Sequence, residues 1–499
     1  MHISYDIKNG VEYAKLCQSI RRGKKVGKIS VNLGRVVDKK KGIYKSRERG
    51  VFIYDLKENA YKKLDVEYLL PDRSNHQEKL ILDFGDIYFL DDYLRKIGLT
   101  ASIDAIEYRN PDTLYAMLGY YILCSTANCY AGDWWEGSYA RILYPKANLV
   151  SQRISDFLAD VGDEKRLRAF FSQYVSYVAN GASQGTNVLI DSTGLPNSIR
   201  FPLTAISNHN GDINNEVRLI YVTQQETGLP IYFRYCPGNV IDVSTLTRTI
   251  LELKENGVST KFAIFDAGYY SGENIAALYE SNVSFVSRLK ENLKLYKSLV
   301  EEHLPGIEAK ENFVSYNNRY AYIKCVECEL VSGHKAYAFI GLDIDRKSSE
   351  SRKLFQKAKG GKLSDAKVYD RMSSQGVFIL VSSRRIAKDK ILPTYYMRQQ
   401  IEQIFDIGKN YADLLPLRVQ NEDTFRGHLL MTFIASVVVK KLQDDLASTV
   451  FNPISLFMSL RNQKCKVYID SVIVQEAFKK ANDIYKHFKI PCPIVIPKQ

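Results

Sequence analysis

The sequence predicts an α/β fold: a mixed sheet with flanking helices, a basic β-rich region before it and a helical tail after it. Two short apolar runs each stop at an aspartate, Asp191 in run 187–193 and Asp266 in run 262–269. Such runs are typical of buried strands. Alternating β-rich runs between residues 291 and 375 predict, in addition, a β-rich insertion.

Ligands collect at the carboxyl ends of strands in open α/β sheets, so Asp191 and Asp266 are candidate site residues. Either aspartate by itself is also typical of a turn or a helix cap. Gly268 follows the second one and allows a tight turn into a helix that begins near Gly272. Two such aspartates, together with a glutamate on a helix, favour a functional site.

The elements around these aspartates follow a defined order. Segments 216–224 and 229–235 are β-rich runs separated by a hairpin signal. Asp242 is expected to cap a helix that starts at Val243, and a last apolar strand covers 283–287. The order is therefore three strands, a helix, a strand, a helix and a strand, with an aspartate on the first and fourth strands. This is the connectivity of an RNase H-like domain.

The candidate glutamate belongs to a spaced group, Tyr395, Arg398, Glu402 and Lys409. At about 100° per residue these positions fall within an arc of roughly 60° on one helix. We therefore expect a hydroxyl, a guanidinium, a carboxylate and an ammonium on a single helix face. A solvated charged face with an incidental Arg398–Glu402 pair is the alternative interpretation.

The segment between Asp266 and Glu402 is expected to hold the insertion. Runs 312–322, 323–331 and 334–343 alternate polar and apolar residues, which predicts three strands. A lysine- and serine-rich stretch follows, and 376–382 reads as a last apolar strand before the helix with Glu402.

These residues together resemble a DDE transposase of a bacterial insertion sequence. Tyr395, Arg398, Glu402 and Lys409 fit the Y-x2-R-x3-E-x6-K signature of one transposase group at every spacing. Asp191 in Asp-Ser-Thr and Asp266 in Asp-Ala-Gly-Tyr are similar to the other two acids of that family, and Gly238-Asn239-x2-Asp242 to a recurring family element. The resemblance implies that Asp191, Asp266 and Glu402 are the catalytic, metal-binding acids.

The resemblance also implies the cofactor and the DNA contacts. Two Mg²⁺ ions per site, for which Mn²⁺ substitutes, would be held by the three acids, since Mg²⁺ prefers hard oxygen ligands. Without metal, three clustered carboxylates would raise one another's pKa. The remaining residues expected to contact DNA near the site are Tyr395, Arg398, Lys409, Arg288 and Lys290. A tryptophan often present in the insertion of related transposases is missing here, so a DNA hairpin intermediate is not established.

The overall charge suits a polyanionic partner. The chain has a net charge of +13, and segment 21–50 holds twelve Lys or Arg against Asp38 and Glu48, which gives +10. Lys39, Lys40 and Lys41 within it are expected to bind DNA phosphates. A solvated basic face without a role in DNA binding is the alternative.

The predicted organisation has six parts. The N-terminal DNA-binding unit is basic and β-rich, the connector is mostly helical, the catalytic core is split by the insertion, and the tail is helical. In this order the ranges are 1–70, 71–184, 185–290 with 376–440, 291–375 as the insertion, and 441–499.

The expected partner is double-stranded DNA, both element ends with their inverted repeats and target DNA. A homodimer in a synaptic complex is expected because two ends must be cut together. Neither a membrane segment nor a P-loop for a nucleotide cofactor is recognisable, and the scattered cysteines suit a reducing bacterial cytoplasm, where the protein would act at the nucleoid. A catalytically silent DNA-binding derivative and a non-transposing RNase H-like nuclease are the alternatives.

Overall fold

The computed structural model describes residues 1–8, 11–22, 25–64, 80–179, 186–207, 213–360, 368, 372, 374–412, 414–417 and 419–498. The end of the predicted lysine- and serine-rich stretch and the predicted domain boundary at 184/185 lie outside these residues. The chain divides into two compact units. They are Met1–Ile81 with Lys466–Ile473 and Val495–Gln499, and Leu82–Cys465 with Val474–Ile494.

The N-terminal region contains a six-stranded antiparallel sheet in which each strand pairs with the next. Alternation places apolar residues of β2 to β5 on one covered face, with Tyr44 and Phe52 at its centre. Gly34 has a φ of +94°, and a Cβ there would lie 2.2 Å from the carbonyl oxygen of Lys45, so only glycine fits. The strands are β1 (His2–Lys8), β2 (Val11–Arg22), β3 (Lys25–Asp38), β4 (Ile43–Ser46), β5 (Gly50–Asp55) and β6 (Ala60–Lys63).

Among the described residues, a short strand and seven α-helices precede the large sheet. Asn110 and Pro111 show why one of these helices starts where it does: the Asn110 side chain accepts a hydrogen bond from the Thr113 amide, and Pro111 occupies the first helical position. The elements are β7 (Leu80–Asp83), α1 (Gly85–Lys96), α2 (Thr100–Asp104), α3 (Pro111–Leu123), α4 (Ala131–Gly137), α5 (Ala140–Leu143), α6 (Ser151–Val161) and α7 (Glu164–Ala179).

The first part of the large sheet has antiparallel and parallel strands. β8, β10 and β11 are antiparallel neighbours, β9 pairs with β10, and β12 and β13 run parallel to β8. Their order across the sheet is β11-β10-β8-β12-β13. The elements are β8 (Thr186–Pro196), β9 (Ala205–Ser207), β10 (Asn214–Gln224), β11 (Pro230–Pro237), α8 (Leu246–Glu255), β12 (Thr260–Phe265), α9 (Gly272–Glu280), β13 (Ser284–Arg288) and α10 (Lys294–His303).

The β-rich segment that follows extends this sheet. β17 pairs with β13, and β16, β15 and β14 continue outward, all antiparallel. The asparagine pair Asn317-Asn318, from which a turn is predicted, does form one, at φ of +46° and +60°. The predicted boundary between runs 312–322 and 323–331 was wrong, because one strand continues from Arg319 to Val331. The elements are β14 (Phe313–Tyr316), β15 (Arg319–Val331), β16 (His334–Asp343), α11 (Ile344–Lys359) and β17 (Val377–Ser382).

The sheet is buried on both faces, which explains its nearly continuous apolar runs. Val188 and Ile190 of β8 belong to one hydrophobic cluster, with residues of α8, α9 and α10. Leu189, between them, belongs to another cluster with Ile391 and Tyr395. Successive β8 side chains therefore alternate between two cores.

The C-terminal third is mostly helical. The predicted apolar core helix at 429–439 lies within a buried helix of 24 residues. The predicted helical tail also contains three short strands, a correction that its alternating runs, such as Ser471-Val-Ile-Val474, explain. The elements are α12 (Lys388–Tyr396), α13 (Gln399–Asp406), a π-helix (Ile407–Tyr411), α14 (Glu422–Asp445), α15 (Pro453–Arg461), β18 (Lys464–Val467), β19 (Ser471–Val474), α16 (Lys479–Phe488) and β20 (Val495–Pro497).

Within the described ranges, no helix combines the length and apolar character that crossing a bilayer requires.

Close packing of α6 against α14 gives a stability prediction. A Cβ at Gly427 would lie 1.8 Å from the Leu158 carbonyl oxygen, so Gly427→Ala should separate the two helices and lower the free energy of unfolding by about 3 kcal/mol. Urea denaturation followed by circular dichroism measures this. Gly137→Ala is the control, since a Cβ there meets nothing within 4 Å. Equal stabilities of the two variants would contradict the packing account.

Candidate active site

Asp191 and Asp266 lie side by side in the sheet. β8 and β12 pair in parallel up to Ile190 and Phe265, so the two aspartates occupy the next position on neighbouring strands. Adjacent strands are about 4.8 Å apart, which brings the two carboxylates to one place. The sequence alone could only suggest that the two carboxylates are close; the register shows it.

The two aspartates differ in their backbone setting. Asp266 ends its strand as predicted, and its carboxylate accepts a hydrogen bond from the Ala267 amide at 2.8 Å. The prediction that Asp191 ends a strand was wrong, because β8 continues to Pro196 through antiparallel pairing with β10. The backbone of Asp191 is therefore held in place by its pairing with Tyr221 of β10.

The group that begins at Tyr395 does not form one continuous helix, contrary to expectation. At the junction of α12 and α13, the amides of Arg398 and Ile401 bond to carbonyls three residues back, those of Tyr395 and Arg398. In a turn of this kind, side chains three residues apart eclipse one another. Tyr395 and Arg398 thus point the same way, and the wider π-helix beyond α13 sets the direction of Lys409.

Arg398 joins the two aspartates. Its Nη2 lies 2.7 Å from Asp191 Oδ2 and 3.7 Å from Asp266 Oδ2. The Tyr395 hydroxyl donates to Asp266 Oδ1 at 3.0 Å. Arg398 and Asp191 are 16% and 15% exposed, whereas Asp266 is 43% exposed, so one carboxylate is enclosed and the other faces solvent.

Burial dominates the electrostatics of this cluster. It raises the pKa of Asp191, and the Arg398 guanidinium opposes that rise only in part. Burial acts against the charge of Arg398, but Asp191 and Asp266 together raise the pKa of the guanidinium above its usual range. Burial, with Asp266 second, raises the pKa of Tyr395, so its hydroxyl remains a donor.

Lys409 contacts the continuation of β8. Its Nζ donates to Thr193 Oγ1 at 2.6 Å and to the Gly194 carbonyl oxygen at 3.1 Å. Burial lowers the pKa of Lys409. Lys409 therefore lies on the Asp191 side of the sheet, as Arg398 does.

Glu402 is not part of this cluster. Its side chain is exposed and, among the described residues, has no hydrogen-bond or ion-pair partner. No three or more His, Cys, Asp or Glu side chains in the described part of the chain are grouped so as to hold a metal ion. A third carboxylate beside two others would add like-charge repulsion, so an exposed position in water stabilises it better.

Of the other predicted DNA contacts, Arg288 occupies the position on β13 next to that of Asp266 and lines a cavity with Tyr395. Arg288 ends β13 and pairs with Glu291 at 3.3 Å, and Lys290 is half-buried just beyond it. Lys39 lies 2.6 Å from a Glu12 carboxylate oxygen and 4.1 Å from the centre of the Tyr5 ring. Its neighbours in the turn after β3, Lys40 and Lys41, are exposed.

Sequence reasoning missed a buried polar group beside Asp191. Ser192 Oγ donates to Asp242 Oδ1 at 2.6 Å, and Arg218 Nη1 lies 2.9 Å from the same oxygen. Asp242 was expected to cap a helix, but its carboxylate instead binds these two side chains. The signal that could have found them is an arginine and a glutamate, Arg218 and Glu216, next to the apolar run 219–222 of a central strand.

The chain is similar to known proteins in one defined region. The family described as Transposase DDE domain matches residues 184–438. A solved structure similar to the chain is the cryo-EM structure of a piggyBac transposase synaptic complex with hairpin DNA. It has 12% sequence identity and a TM-score of 0.40, and covers 75% of this chain and 78% of that chain. No curated protein matches.

The ion pair between Arg398 and Asp191 can be tested by a double-mutant cycle. Arg398→Gln should lower the free energy of unfolding by about 2 kcal/mol in EDTA, because it leaves a largely buried carboxylate without its cation. Adding Asp191→Asn should restore most of this loss, since the unpaired charge is then gone. Urea denaturation of the four proteins measures the coupling.

Arg234→Gln is the matched control, because Arg234 is 15% exposed and pairs with Glu252 at 3.2 Å. Its effect should add to that of Asp191→Asn without coupling. A cycle for Arg398 and Asp191 that is equally additive would contradict the ion pair.

Proposed function

Because the chain belongs to the DDE transposase family, we propose that it cuts DNA at the ends of a mobile element and joins those ends to target DNA. The observation that carries this proposal is the side-by-side position of Asp191 and Asp266, which face the one guanidinium of Arg398. The spacing of Tyr395, Arg398, Glu402 and Lys409 supports assignment to the insertion-sequence group with the Y-x2-R-x3-E-x6-K signature.

We further propose that the core is RNase H-like. The strand order β11-β10-β8-β12-β13 supports this, with three antiparallel strands followed by two that run parallel to the first. The segment between Asp266 and Glu402 would be the insertion, and its strands β14 to β16 extend the core sheet through β17.

Divalent cations, two Mg²⁺ per site with Mn²⁺ as a substitute, fit the donor set in part. Asp191 and Asp266 offer hard carboxylate oxygens directed at one shared positive charge, as Mg²⁺ requires. We propose Glu402, four residues beyond Arg398, as the third ligand; its exposed side chain would have to turn toward the two aspartates to hold an ion with them. Such ions supply charge stabilisation to an in-line displacement at phosphorus.

The protein's own side chains would bind and orient the DNA. Arg398 offers paired N–H donors to a phosphate beside the scissile bond, and Lys409 a single ammonium. The Tyr395 hydroxyl, kept protonated by burial, would hold Asp266 in orientation. Arg288 and Lys290, at the end of β13, would contact the flanking backbone.

The N-terminal sheet would hold the inverted repeats. Lys40 and Lys41 of this sheet region are exposed beside Lys39, which supports contacts with DNA phosphates. Such contacts bind the DNA backbone and do not read its base sequence. Two element ends must be cut together, so we propose a homodimer in a synaptic complex.

One observation favours a second candidate, a catalytically silent DNA-binding derivative. Glu402 is exposed and, within the described residues, not grouped with the two aspartates. A labelled terminal-repeat duplex with Mg²⁺ or Mn²⁺ separates the two candidates. If the wild-type protein nicks the duplex and Glu402→Gln abolishes nicking, the result supports the transposase. Binding without nicking supports the silent derivative. Cutting without end joining supports a plain nuclease.

Asp191→Asn and Asp266→Asn should each lower the single-turnover rate of end cleavage by about 10³-fold or more, since each removes a charge that would hold a cation. Binding of the terminal-repeat duplex, measured by fluorescence anisotropy, should change less than about threefold. Asp86→Asn is the control, because Asp86 is a buried aspartate of α1 that pairs with Arg461 outside the sheet. Cleavage that survives both substitutions would refute the assignment.

Changing Lys39, Lys40 and Lys41 to Gln should weaken duplex binding and flatten its salt dependence. Each phosphate contact contributes about 0.9 to the slope of log K against log salt, so the slope should fall by up to about 2.7. Anisotropy titrations from low to moderate salt measure it. The matched control exchanges Lys353, Lys357 and Lys359 of α11 for Gln; an equal change there would remove the special role of the N-terminal sheet.

A further inference from the structure

A second polar cluster lies on the other face of β8 from Arg398. Along a strand, side chains alternate, so Asp191 and Thr193 face Arg398 and Lys409, whereas Ser192 faces the opposite way. The residue that meets Ser192 there is Asp242, at the start of a 3₁₀ turn, Asp242–Ser244. Ser192, the residue after Asp191, is thus hydrogen-bonded on the face of β8 opposite to Arg398.

Arg218 completes this cluster from β10. Its guanidinium is 4% exposed and contacts Asp242 at 2.9 Å, Ser207 Oγ at 3.3 Å and the Gly238 carbonyl oxygen at 3.4 Å. Glu216 lies 3.7 Å from it. A buried ion pair contributes little net stability, because the desolvation of the charges offsets their attraction. The ion pair with Arg218 instead fixes the position of the Asp242 side chain.

Two glycines allow the close approach. A Cβ at Gly194 would lie 1.9 Å from Glu216 Oε2, and one at Gly238 would lie 2.1 Å from the Glu216 carbonyl oxygen. A side chain at Gly194 would therefore displace the Glu216 carboxylate, and one at Gly238 would push against the backbone of β10.

Asp242 also contacts the turn after the other aspartate. A Cβ at Gly268 would lie 3.0 Å from Asp242 Oδ2, and Gly268 is two residues beyond Asp266. One carboxylate oxygen of Asp242 thus accepts from the neighbour of Asp191, while the other lies against the turn that follows Asp266.

We propose that Asp242 is a positioning residue that sets the separation of Asp191 and Asp266. This inference rests on the proposed function, in which the two aspartates hold divalent ions. On the face away from the proposed ions, Asp242 accepts a hydrogen bond from Ser192, beside Asp191, and lies close to the turn at Gly268, beyond Asp266. Outer partners that orient ligand side chains typically change metal affinity by 10- to 100-fold when removed.

The test measures Mn²⁺ binding to the full-length protein with its terminal-repeat duplex, by the loss of the free-Mn²⁺ electron paramagnetic resonance signal. Asp242→Asn keeps an acceptor for Ser192 but removes the charge that pairs with Arg218; Ser192→Ala removes the contact from the other side. Each should weaken Mn²⁺ binding by about 10-fold or more. Their combination should weaken binding by less than the product of the two single effects, because both loosen the same side chain at position 242.

A purely structural role predicts a different pattern. Asp86→Asn, which also removes a buried aspartate charge beside an arginine, should lower the melting temperature and leave Mn²⁺ affinity unchanged. Asp242→Asn and Ser192→Ala variants that melt lower yet bind Mn²⁺ as wild type does would overturn the positioning role. Should Asp242→Asn not fold, the milder Ser192→Ala decides the question alone.

Failure of the proposed function would look different. Wild-type protein on its duplex that binds no Mn²⁺, or binds it independently of Asp191, would refute the metal site itself. Wild-type binding that Asp191→Asn removes, together with insensitivity to Asp242→Asn and Ser192→Ala, would refute only the inference about Asp242.

Discussion

The guanidinium of Arg398 lies between two carboxylates that the sheet places at adjacent positions on parallel strands. Two ionised acids at the separation of neighbouring strands repel one another, and one of them is largely buried. A fixed cation makes this arrangement tolerable. The turn between α12 and α13 positions this cation. Its hydrogen bonds join residues three apart, which places the side chains of Tyr395 and Arg398 on the same side.

The large sheet has a cluster of polar side chains on each of its two faces. On the face with Arg398 and Lys409, Asp266 is partly exposed, and on the opposite face Asp242 and Arg218 line a cavity. Between them, β8 provides a rigid backbone, because it pairs with β10 on one side and β12 on the other. Asp191 and Asp266 lie just beyond the last parallel pair of β8 and β12.

Much of this was predictable from local patterns. Apolar runs and turn residues identified the strands that contain or precede Asp191 and Asp266, because burial on both faces leaves a strong signal. The continuation of β8 past Asp191 was not predictable, since it depends on pairing with β10. The spacing of Tyr395, Arg398 and Lys409 fits a straight helix and a broken one equally well. The role of Asp242 depends on contacts with Ser192 and Arg218, which are remote in sequence.

The guanidinium of Arg398 lies against both carboxylates, in the space that a cation shared by them would need. Under the proposed function, Arg398 would have to move away from Asp191 before the two acids could hold metal ions together. A DNA phosphate that attracts the guanidinium would favour this movement. Substrate binding and activation would then be coupled, because the same side chain takes part in both.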